Sequence, residues 1–545
     1  MFDEELGEFA MGIMLPLSSA FMRRARSALA FGLLSLPLAA PLAPAEAADK
    51  VLRVVPHAEL SILDPITTSA NITSWHGYMV YDTLFAYDAN FKPQPQMVGS
   101  YEVSSDGLTH SFKLRPGQKW HDGNPVTAAD CVQSLKRWAA KDDEGRLVMS
   151  LTDSLETTGT DSFTWKLKEK YGNLLDNLAK LGSLTPVMMP EAIAKTDPNT
   201  QIKEAIGSGP YKFVREEWVP GSKVVYAKNK DYVPRSEPTS MLAGAKLAKV
   251  DRVEWLYMPD PLTAAAALAS GEVDFVESPR IEQLPMLKGS PDVVVKVRDP
   301  LGVMVLARPN HLQPPFNNKK VRQAFFAAVD QVAYMTAIIG DKDYWKTCDS
   351  LLYCGTSSYS NAGAMPVGKP NLDKAKALLA ESGYKGETVV VLQPTDHPTS
   401  VAAEVTAQTL RKIGMKVELK AMAWSQLLSS RSNKNPTAEG GWSVFHTRWE
   451  GSQINPMIFS AISGACDKAW FGWSCNADIE RLRVAWTRET DPAKQKAILD
   501  QLHAALVDDV PILDLGLQVQ PSAWRKDVSG VLDAPVLALW NIDKK

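Results

Sequence analysis

Residues 104–130 read Ser-Ser-Asp-Gly-Leu-Thr-His-Ser-Phe-Lys-Leu-Arg-Pro-Gly-Gln-Lys-Trp-His-Asp-Gly-Asn-Pro-Val-Thr-Ala-Ala-Asp. Between Leu108 and Leu114 the side chains at even positions alternate with polar ones, which predicts a half-buried strand. Arg-Pro-Gly at 115–117 and Asp-Gly at 122–123 predict turns, and Thr127 is placed to N-cap a helix. The stretch therefore predicts a hairpin that leads directly into a helix.

The composition is that of a large, nearly neutral protein. The chain has 545 residues, of which 45% are hydrophobic, enough for a large core divided into at least two lobes. A formal net charge of −3 argues against nucleic acid or an anionic membrane surface as the main partner. Core packing explains most of the 15 tryptophans, but a binding cleft with broad apolar walls would use the same residue.

Residues 1–47 have the features of an export signal. A basic stretch at 22–26 precedes a short apolar run at 28–42 and a small-x-small cleavage site, Ala45-Glu46-Ala47. The acidic residues before Met22 do not fit such a signal, so we expect translation to start at Met22. The apolar run is too short for a membrane span, and no cysteine near the cleavage site could carry a lipid. We therefore expect an exported, soluble protein.

The five cysteines predict two local disulfides in an oxidising compartment. Cys348 would pair with Cys354 and Cys466 with Cys475, which leaves Cys131 as a buried thiol in the helix after the hairpin. A metal site is the alternative for these cysteines. Their spacings, without interleaved histidine, do not match zinc patterns, so no metal is expected.

Five different short motifs occur along the chain. They are Leu63-Asp64-Pro65, Asp82-Thr83-Leu84-Phe85, Gly207-Ser208-Gly209-Pro210-Tyr211, Gly271-Glu272-Val273-Asp274-Phe275 and Val321-Arg322-Gln323-Ala324. Together with residues 104–130 they resemble the motifs of the family 5 extracellular solute-binding proteins, the dipeptide, oligopeptide and nickel receptors of bacterial ABC importers. The resemblance runs from about Val51 to Asn541.

The resemblance implies an α/β fold. The expected fold is a two-lobed periplasmic binding protein of the large, peptide-receptor type. It has mixed sheets flanked by helices, and an extra subdomain is inserted in lobe I. Lobe I is expected at 48–298 with the insertion at about 90–205, lobe II at 299–510, and a return to lobe I at 511–545. Strands at 388–393 and 416–420 around a helix at 400–414 make a β-α-β unit, which predicts a mostly parallel sheet in lobe II.

The run at 440–456 is the candidate ligand site, because it follows a predicted strand at the sheet edge where α/β proteins bind ligands. Trp449 could form a wall, and Ser452 and Asn455 could hydrogen-bond a solute. The family's dipeptide receptors have an aspartate in place of Ser452, which holds the peptide's amino terminus; a neutral hydroxyl cannot make that charge-assisted bond. The arginine that holds the carboxylate would fall at Thr395-Asp396-His397. Both departures argue against an ordinary dipeptide.

Other candidates come from both lobes. An anionic or polar ligand could use His446, Arg448 and Arg431; apolar walls could come from Trp424, Phe471 and Trp473, and from Trp75 with His76 in lobe I. Each of these residues could instead have no role in binding, since exposed arginines are mostly solvated and aromatic side chains mostly pack in cores.

These observations predict a periplasmic receptor that carries a small solute to the permease subunits of an ABC importer, as a monomer and without a cofactor. An exported hydrolase is the alternative. Against it, the sequence has no Gly-x-Ser-x-Gly elbow and no His-Glu-x-x-His helix. A chaperone-like or sensory binding protein of the same fold stays open as a third class.

Overall fold

A computed structural model describes residues 49–299, 301–363, 365, 367–395 and 397–545. The expected export signal lies outside this part of the chain. Within it, no helix combines the length and apolar character needed to cross a membrane.

The strands follow one another along the described chain as β1 (Val51–Val55), β2 (Phe85–Tyr87), β3 (Pro93–Pro95), β4 (Val98–Val103), β5 (Thr109–Leu114), β6 (Thr152–Thr157), β7 (Ser162–Leu167), β8 (Tyr211–Phe213), β9 (Lys223–Lys228), β10 (Arg252–Leu256), β11 (Phe275–Val276), β12 (Val293–Val297), β13 (Val303–Pro309), β14 (Trp345–Lys346), β15 (Val389–Pro394), β16 (Val417–Met422), β17 (Val444–Glu450), β18 (Leu513–Gln518), β19 (Pro521–Arg525), β20 (Val528–Ser529) and β21 (Asp543–Lys544).

The α-helices are α1 (Asn71–Val80), α2 (Ala128–Ala139), α3 (Asp143–Ser150), α4 (Leu174–Leu178), α5 (Glu191–Ala194), α6 (Pro261–Ser270), α7 (Leu284–Gly289), α8 (Lys319–Ala328), α9 (Gln331–Ile338), α10 (Leu372–Glu381), α11 (Ser400–Lys412), α12 (Trp424–Ser430), α13 (Ala477–Arg488) and α14 (Pro492–Asp509).

Lobe I is built on a sheet that combines early and late parts of the chain. Its described strands lie in the order β12-β19-β11-β1-β10-β9-β8. β1 pairs in parallel with β10 and β11, while β19 pairs antiparallel with β11 and β12. Residues 534–542, including the buried Trp540, pack into the core of the same lobe. The C-terminal part of the chain therefore completes lobe I.

The stretch at 104–130 lies in the inserted subdomain, a described sheet in the order β4-β5-β7-β6. In β5 the side chains at 110, 112 and 114 are buried while those between them are not, so the predicted alternation is confirmed. Thr127 caps α2 through a capping box with Asp130, which confirms the predicted N-cap. The indole of Trp120 also donates a hydrogen bond to Asp130 at 3.2 Å, which ties the hairpin to the helix it precedes.

Lobe II contains a second sheet, in the order β14-β18-β13-β17-β15-β16 among the described strands. β15 pairs in parallel with β16 and β17, but β13 pairs antiparallel with β17 and β18, and β14 antiparallel with β18. The prediction of a mostly parallel sheet is therefore wrong. The β-α-β unit forms only one side of the sheet. On the other side, β13 enters from lobe I and β18 leaves for it, which makes them antiparallel neighbours.

The chain passes between the lobes twice within a short distance. One connection joins β12 to β13 through residues 298–302, and the other joins β18 to β19 through residues 519–520. β18 remains paired with β13 until Gln518, so the second connection begins after that residue.

Candidate functional site

The two interlobe connections form part of the wall of a cleft of about 690 Å³, which we call the hinge cavity. Its volume lies within the range of small-molecule sites. Lobe I contributes His57, Trp75 and Glu277 to the lining, and lobe II contributes His397, Arg448 and Glu450. Because both lobes supply walls, a solute bound here would link them.

Glu277 is the acidic group on the lobe I wall, and its oxygens are already occupied. Oε1 accepts a hydrogen bond from the Trp75 indole at 2.7 Å, and Oε2 accepts the backbone amide of His57 at 2.8 Å and approaches its Nδ1 at 2.9 Å. Burial would raise the pKa of Glu277, but His57 outweighs it and lowers that pKa. Burial likewise opposes protonation of His57, and Glu277 with Glu450 raises the His57 pKa. The His57–Glu277 ion pair therefore forms a fully hydrogen-bonded part of the lobe I wall.

Arg448 and Glu450 provide the less satisfied charges of the lobe II wall. They lie two residues apart in β17, so both side chains project from the same face of the strand. Among the described residues, the hydrogen-bond partner of the Arg448 guanidinium is the Gln518 amide oxygen, at 3.5 Å. Burial raises the pKa of Glu450 to about 7, and Asp299 adds to this while Arg448 and His57 oppose it. This pair can still accept a charged solute.

The first connection is anchored to lobe I. Buried Arg298 donates from Nε to the Ser522 hydroxyl at 2.8 Å and from Nη1 to the Val536 carbonyl at 3.2 Å. The carboxylate of Asp299 accepts the amides of Leu301 and Gly302 at 2.8 and 2.9 Å. These bonds attach the start of the first connection to lobe I and hold the backbone amides at its end.

The predicted residues of the run at 440–456 separate into different places. Trp449 is partly buried and contacts Phe459 and Trp470 at ring-centroid distances of 5.0 and 5.7 Å. It stands between Arg448 and Glu450 in the strand and therefore on its other face. Ser452 and Asn455 line a second cavity of about 330 Å³, which we call the subdomain cavity.

The subdomain cavity also lies between the lobes. Its lobe I wall includes Tyr87, Lys92, Asn173 and Asp176, and its lobe II wall includes Trp486 and Gln495 with the predicted pair. Asn455 donates a hydrogen bond to Glu144 of the inserted subdomain at 2.8 Å. Nearby, the amide of Gly172 donates to the Thr487 carbonyl at 2.7 Å and Gln495 donates to Asn173 at 3.1 Å. These bonds join the inserted subdomain to lobe II.

Both predicted histidines are fully buried in the cores. His76 contacts the Tyr226 hydroxyl at 3.0 Å, and His446 contacts the Thr406 hydroxyl at 2.7 Å. Burial lowers the pKa of each to about 3, so both are neutral at physiological pH. Neither lines the hinge cavity or the subdomain cavity.

The remaining candidates pack around the end of lobe II. Trp424 stacks on His397 at 3.9 Å and so lies behind one residue of the hinge cavity. The Arg431 guanidinium lies 4.5 Å from the Phe471 ring centroid. Trp473 is 5% exposed and packs against Trp442. The sulfur atoms of Cys348 and Cys354, and those of Cys466 and Cys475, lie at bonding distance, and Cys131 is a buried thiol.

Of the predicted residues, the structure thus brings Trp75 and Arg448 together in the hinge cavity and Ser452 with Asn455 in the subdomain cavity. Sequence reasoning missed His57, Glu277, Glu450 and Asp176. A signal existed for Glu277, because it directly follows β11 and ligand crevices form beyond the carboxyl ends of strands. Asp176 carries no such signal in the sequence.

Comparison with known proteins gives concordant results. The sequence profile described as bacterial extracellular solute-binding proteins, family 5 Middle, matches residues 92–470. A probable peptide ABC transporter periplasmic-binding protein, y4tO of Sinorhizobium fredii, is 40% identical over 519 residues, covering 94% of this chain and 96% of that protein. The glutathione-binding protein GsiB of Pectobacterium atrosepticum is 26% identical, covering 87% of this chain and 90% of that protein.

Solved structures share the fold at lower identity. The ABC transporter substrate-binding protein CtaP of Listeria monocytogenes has a TM-score of 0.77 at 22% identity, covering 91% of this chain and 99% of the other. A putative peptide-binding protein AppA of Clostridium difficile has a TM-score of 0.75 at 20% identity, with 91% and 100% covered.

Proposed function

The chain belongs to family 5 of the bacterial extracellular solute-binding proteins, and on that premise we propose that it captures a small zwitterionic, peptide-like solute in the hinge cavity. The solute would then be handed, chemically unaltered, to the permease of an ABC importer. The comparisons favour such a receptor over the exported hydrolase considered from the sequence.

The observation that carries this proposal is the arrangement of Arg448 and Glu450. Alternate residues of a strand are about 7 Å apart, so one face of β17 offers a cation and an acid at that separation. Neither group is neutralised by a close ion pair with another described side chain. A solute with an anionic and a cationic group can satisfy both, while the His57–Glu277 pair provides the facing wall.

The class of solute fits the relatives, whose names refer to peptides and to glutathione. Both are zwitterions with amide groups. An ordinary dipeptide held as in the family's dipeptide receptors is not the expected ligand, because Ser452 replaces the aspartate and lies in the subdomain cavity instead. We expect a solute whose charged ends are recognised by β17.

The setting is inferred from the family. The protein would act in the periplasm as a monomer, with the solute and the permease subunits as its partners. Closure of the lobes would bury the solute, and contacts such as Asn455 with Glu144 would hold the closed form.

The test starts with native mass spectrometry of protein purified from the periplasm without dialysis, which identifies any retained solute. Arg448→Ala should then weaken binding of that solute at least about tenfold, the loss expected for a charge-assisted hydrogen bond. Arg481→Ala is the matched control, since Arg481 is an exposed arginine of α13. Equal affinity in the Arg448→Ala variant, or chemical change of the solute on incubation, would contradict the proposal.

A further inference from the structure

Asp176 is a carboxylate in the wall of the subdomain cavity, and no described side chain forms an ion pair with it. It lies in α4, and its Oδ1 accepts a hydrogen bond from the Tyr87 hydroxyl at 2.9 Å. In the described part of the chain no lysine, arginine or histidine neutralises it. Burial raises the pKa of Asp176 to about 6, and the bond from Tyr87 only partly offsets this. Carboxylates removed from water are normally paired, and this partly buried one lacks a counter-charge among the described residues.

The surroundings add negative charge. Asp142 and Glu144 lie in the same subdomain, and Lys180 pairs with Asp142 and stands 3.9 Å from Glu144. Lys180 thus already has two carboxylates, Asp142 and Glu144, as its partners, and Asp176 is a third acidic group nearby. Burial raises the pKa of Glu144 to about 7, and Asp142 with Asp176 contributes to that rise against Lys180. Lys92 also lines the cavity, but it is exposed to solvent.

A second observation comes from the opposite wall. Trp486 of α13 is 7% exposed and lines the same cavity, and its indole N–H donates to no acceptor among the described residues. A buried donor left without a partner is unfavourable, because it has lost its hydrogen bond to water. Among the described residues Asp176 therefore lacks a cationic partner and the Trp486 N–H lacks an acceptor, and a small amine that also carries a carbonyl would supply both.

We propose that the subdomain cavity is a binding site for an alkylammonium group, with Asp176 as its counter-ion and Trp486 as donor to a neighbouring carbonyl. At about 330 Å³ the cavity is near the lower end of the size range of small-molecule sites. It adjoins the hinge cavity: Gly302 and Glu450 line the hinge cavity, and their chain neighbours Leu301 and Gly451 line the subdomain cavity. Closure of the lobes would complete this site, since Asp176 and Trp486 belong to different lobes.

The ammonium group could come from two sources. It could belong to a separate small amine, or it could be the amino group of a solute that also reaches the hinge cavity. The chemistry at Asp176 is the same in both cases.

The experiment measures binding of glycinamide, which has an ammonium and a carbonyl, by saturation-transfer NMR on the full-length mature protein. Glycolamide, in which a hydroxyl replaces the ammonium, is the matched neutral probe. We expect saturable binding of glycinamide at neutral pH, and at least about tenfold weaker binding both of glycolamide and of glycinamide to the Asp176→Asn variant. Asp153→Asn, an exposed aspartate of the same subdomain, should behave as the wild type.

Two further measurements keep the result interpretable. Asp176→Asn retains an acceptor for Tyr87 and removes an unpaired charge, so its melting temperature at pH 7.5 should equal or exceed that of the wild type. Trp486→Phe should weaken glycinamide binding several-fold while keeping the preference over glycolamide. Equal binding of the two probes, unchanged binding in Asp176→Asn, or no binding of glycinamide would each overturn the proposal.

The source of the ammonium group follows from competition. If the solute retained by the purified protein displaces glycinamide, the site receives the solute's own amino group. If both bind together, the site serves a separate amine. Either outcome requires the site at Asp176.

Discussion

The amide of Gly451 donates a hydrogen bond to the carbonyl of Gly302 at 2.9 Å, at the end of the β13–β17 pair where the chain enters lobe II. Both residues are glycines for steric reasons. Gly302 has a φ of 77°, and a Cβ there would lie 2.3 Å from the Gln518 carbonyl oxygen; a Cβ on Gly451 would lie 2.4 Å from the Tyr353 ring. At Gly302 the first connection thus approaches Gln518 and Val519, where the second connection begins, more closely than a side chain permits.

Gly302→Ala should therefore destabilise the protein. Left-handed backbone and the clash with the second connection together predict a loss of about 2–4 kcal/mol in the free energy of unfolding, measured by denaturant titration. Gly289→Ala is the control, because nothing lies within 4 Å of the added Cβ there. A Gly302→Ala variant as stable as the control would show that the connections can separate without cost.

Glu450 should make folding stability depend on pH. Its pKa rises from 4.5 to about 7 on folding, mainly through burial, so between these values the native state holds a proton that the unfolded chain has lost. The contribution of Glu450 therefore favours folding at low pH and is lost as pH rises through 7, by about 1–3 kcal/mol.

The Glu450→Gln variant should lack this decline between pH 4.5 and 7, as measured by urea unfolding at a series of pH values. Glu404→Gln, at an exposed position on α11, serves as the control and should retain it. Parallel curves for Glu450→Gln and wild type would contradict the assignment.

Trp75→Phe should lower the free energy of unfolding, because it removes the indole N–H that donates a hydrogen bond to Glu277. The indole bond at 2.7 Å is lost and a buried carboxylate oxygen loses its partner, a cost of about 1–3 kcal/mol in unfolding free energy. Trp255→Phe removes the same atoms from another buried tryptophan whose N–H has no acceptor among the described residues. The difference between the two variants measures the hydrogen bond, and a difference of zero would mean that Glu277 does not depend on it.

Asp64 of the Leu-Asp-Pro motif should be important for stability. Its carboxylate makes a two-pronged ion pair with Arg137 of α2, at 3.0 and 2.7 Å, and both side chains are almost inaccessible to water. Asp64→Asn leaves a buried guanidinium without its counter-charge and should cost about 3–5 kcal/mol.

The exposed pair of Lys296 with Asp533 supplies the comparison for that variant. Asp533→Asn should cost less than about 1 kcal/mol, because water and salt screen exposed charges. Similar losses in thermal unfolding for the two variants would refute the special role of the motif's aspartate.

The sequence alone determined the family, several local helices and strands, and some of the residues at which they begin and end. The alternation in β5, the cap at Thr127 and the left-handed stop at Gly271 depend on neighbouring residues, whose chemistry is legible without a structure. Short-range order of this kind follows from backbone sterics and side-chain hydrogen bonding within a few positions.

The tertiary structure decided the sheet of lobe II and the composition of the two cavities. The sheet became mixed because β13 and β18 are placed by their shared connections to lobe I, which no local pattern encodes. Trp449 and Arg448 are adjacent in sequence, yet the pleat puts them on opposite faces, and only the packing of Phe459 and Trp470 determines which face is buried. Asp176 and Trp486, which are 310 positions apart in the sequence, line one cavity only because the lobes come together.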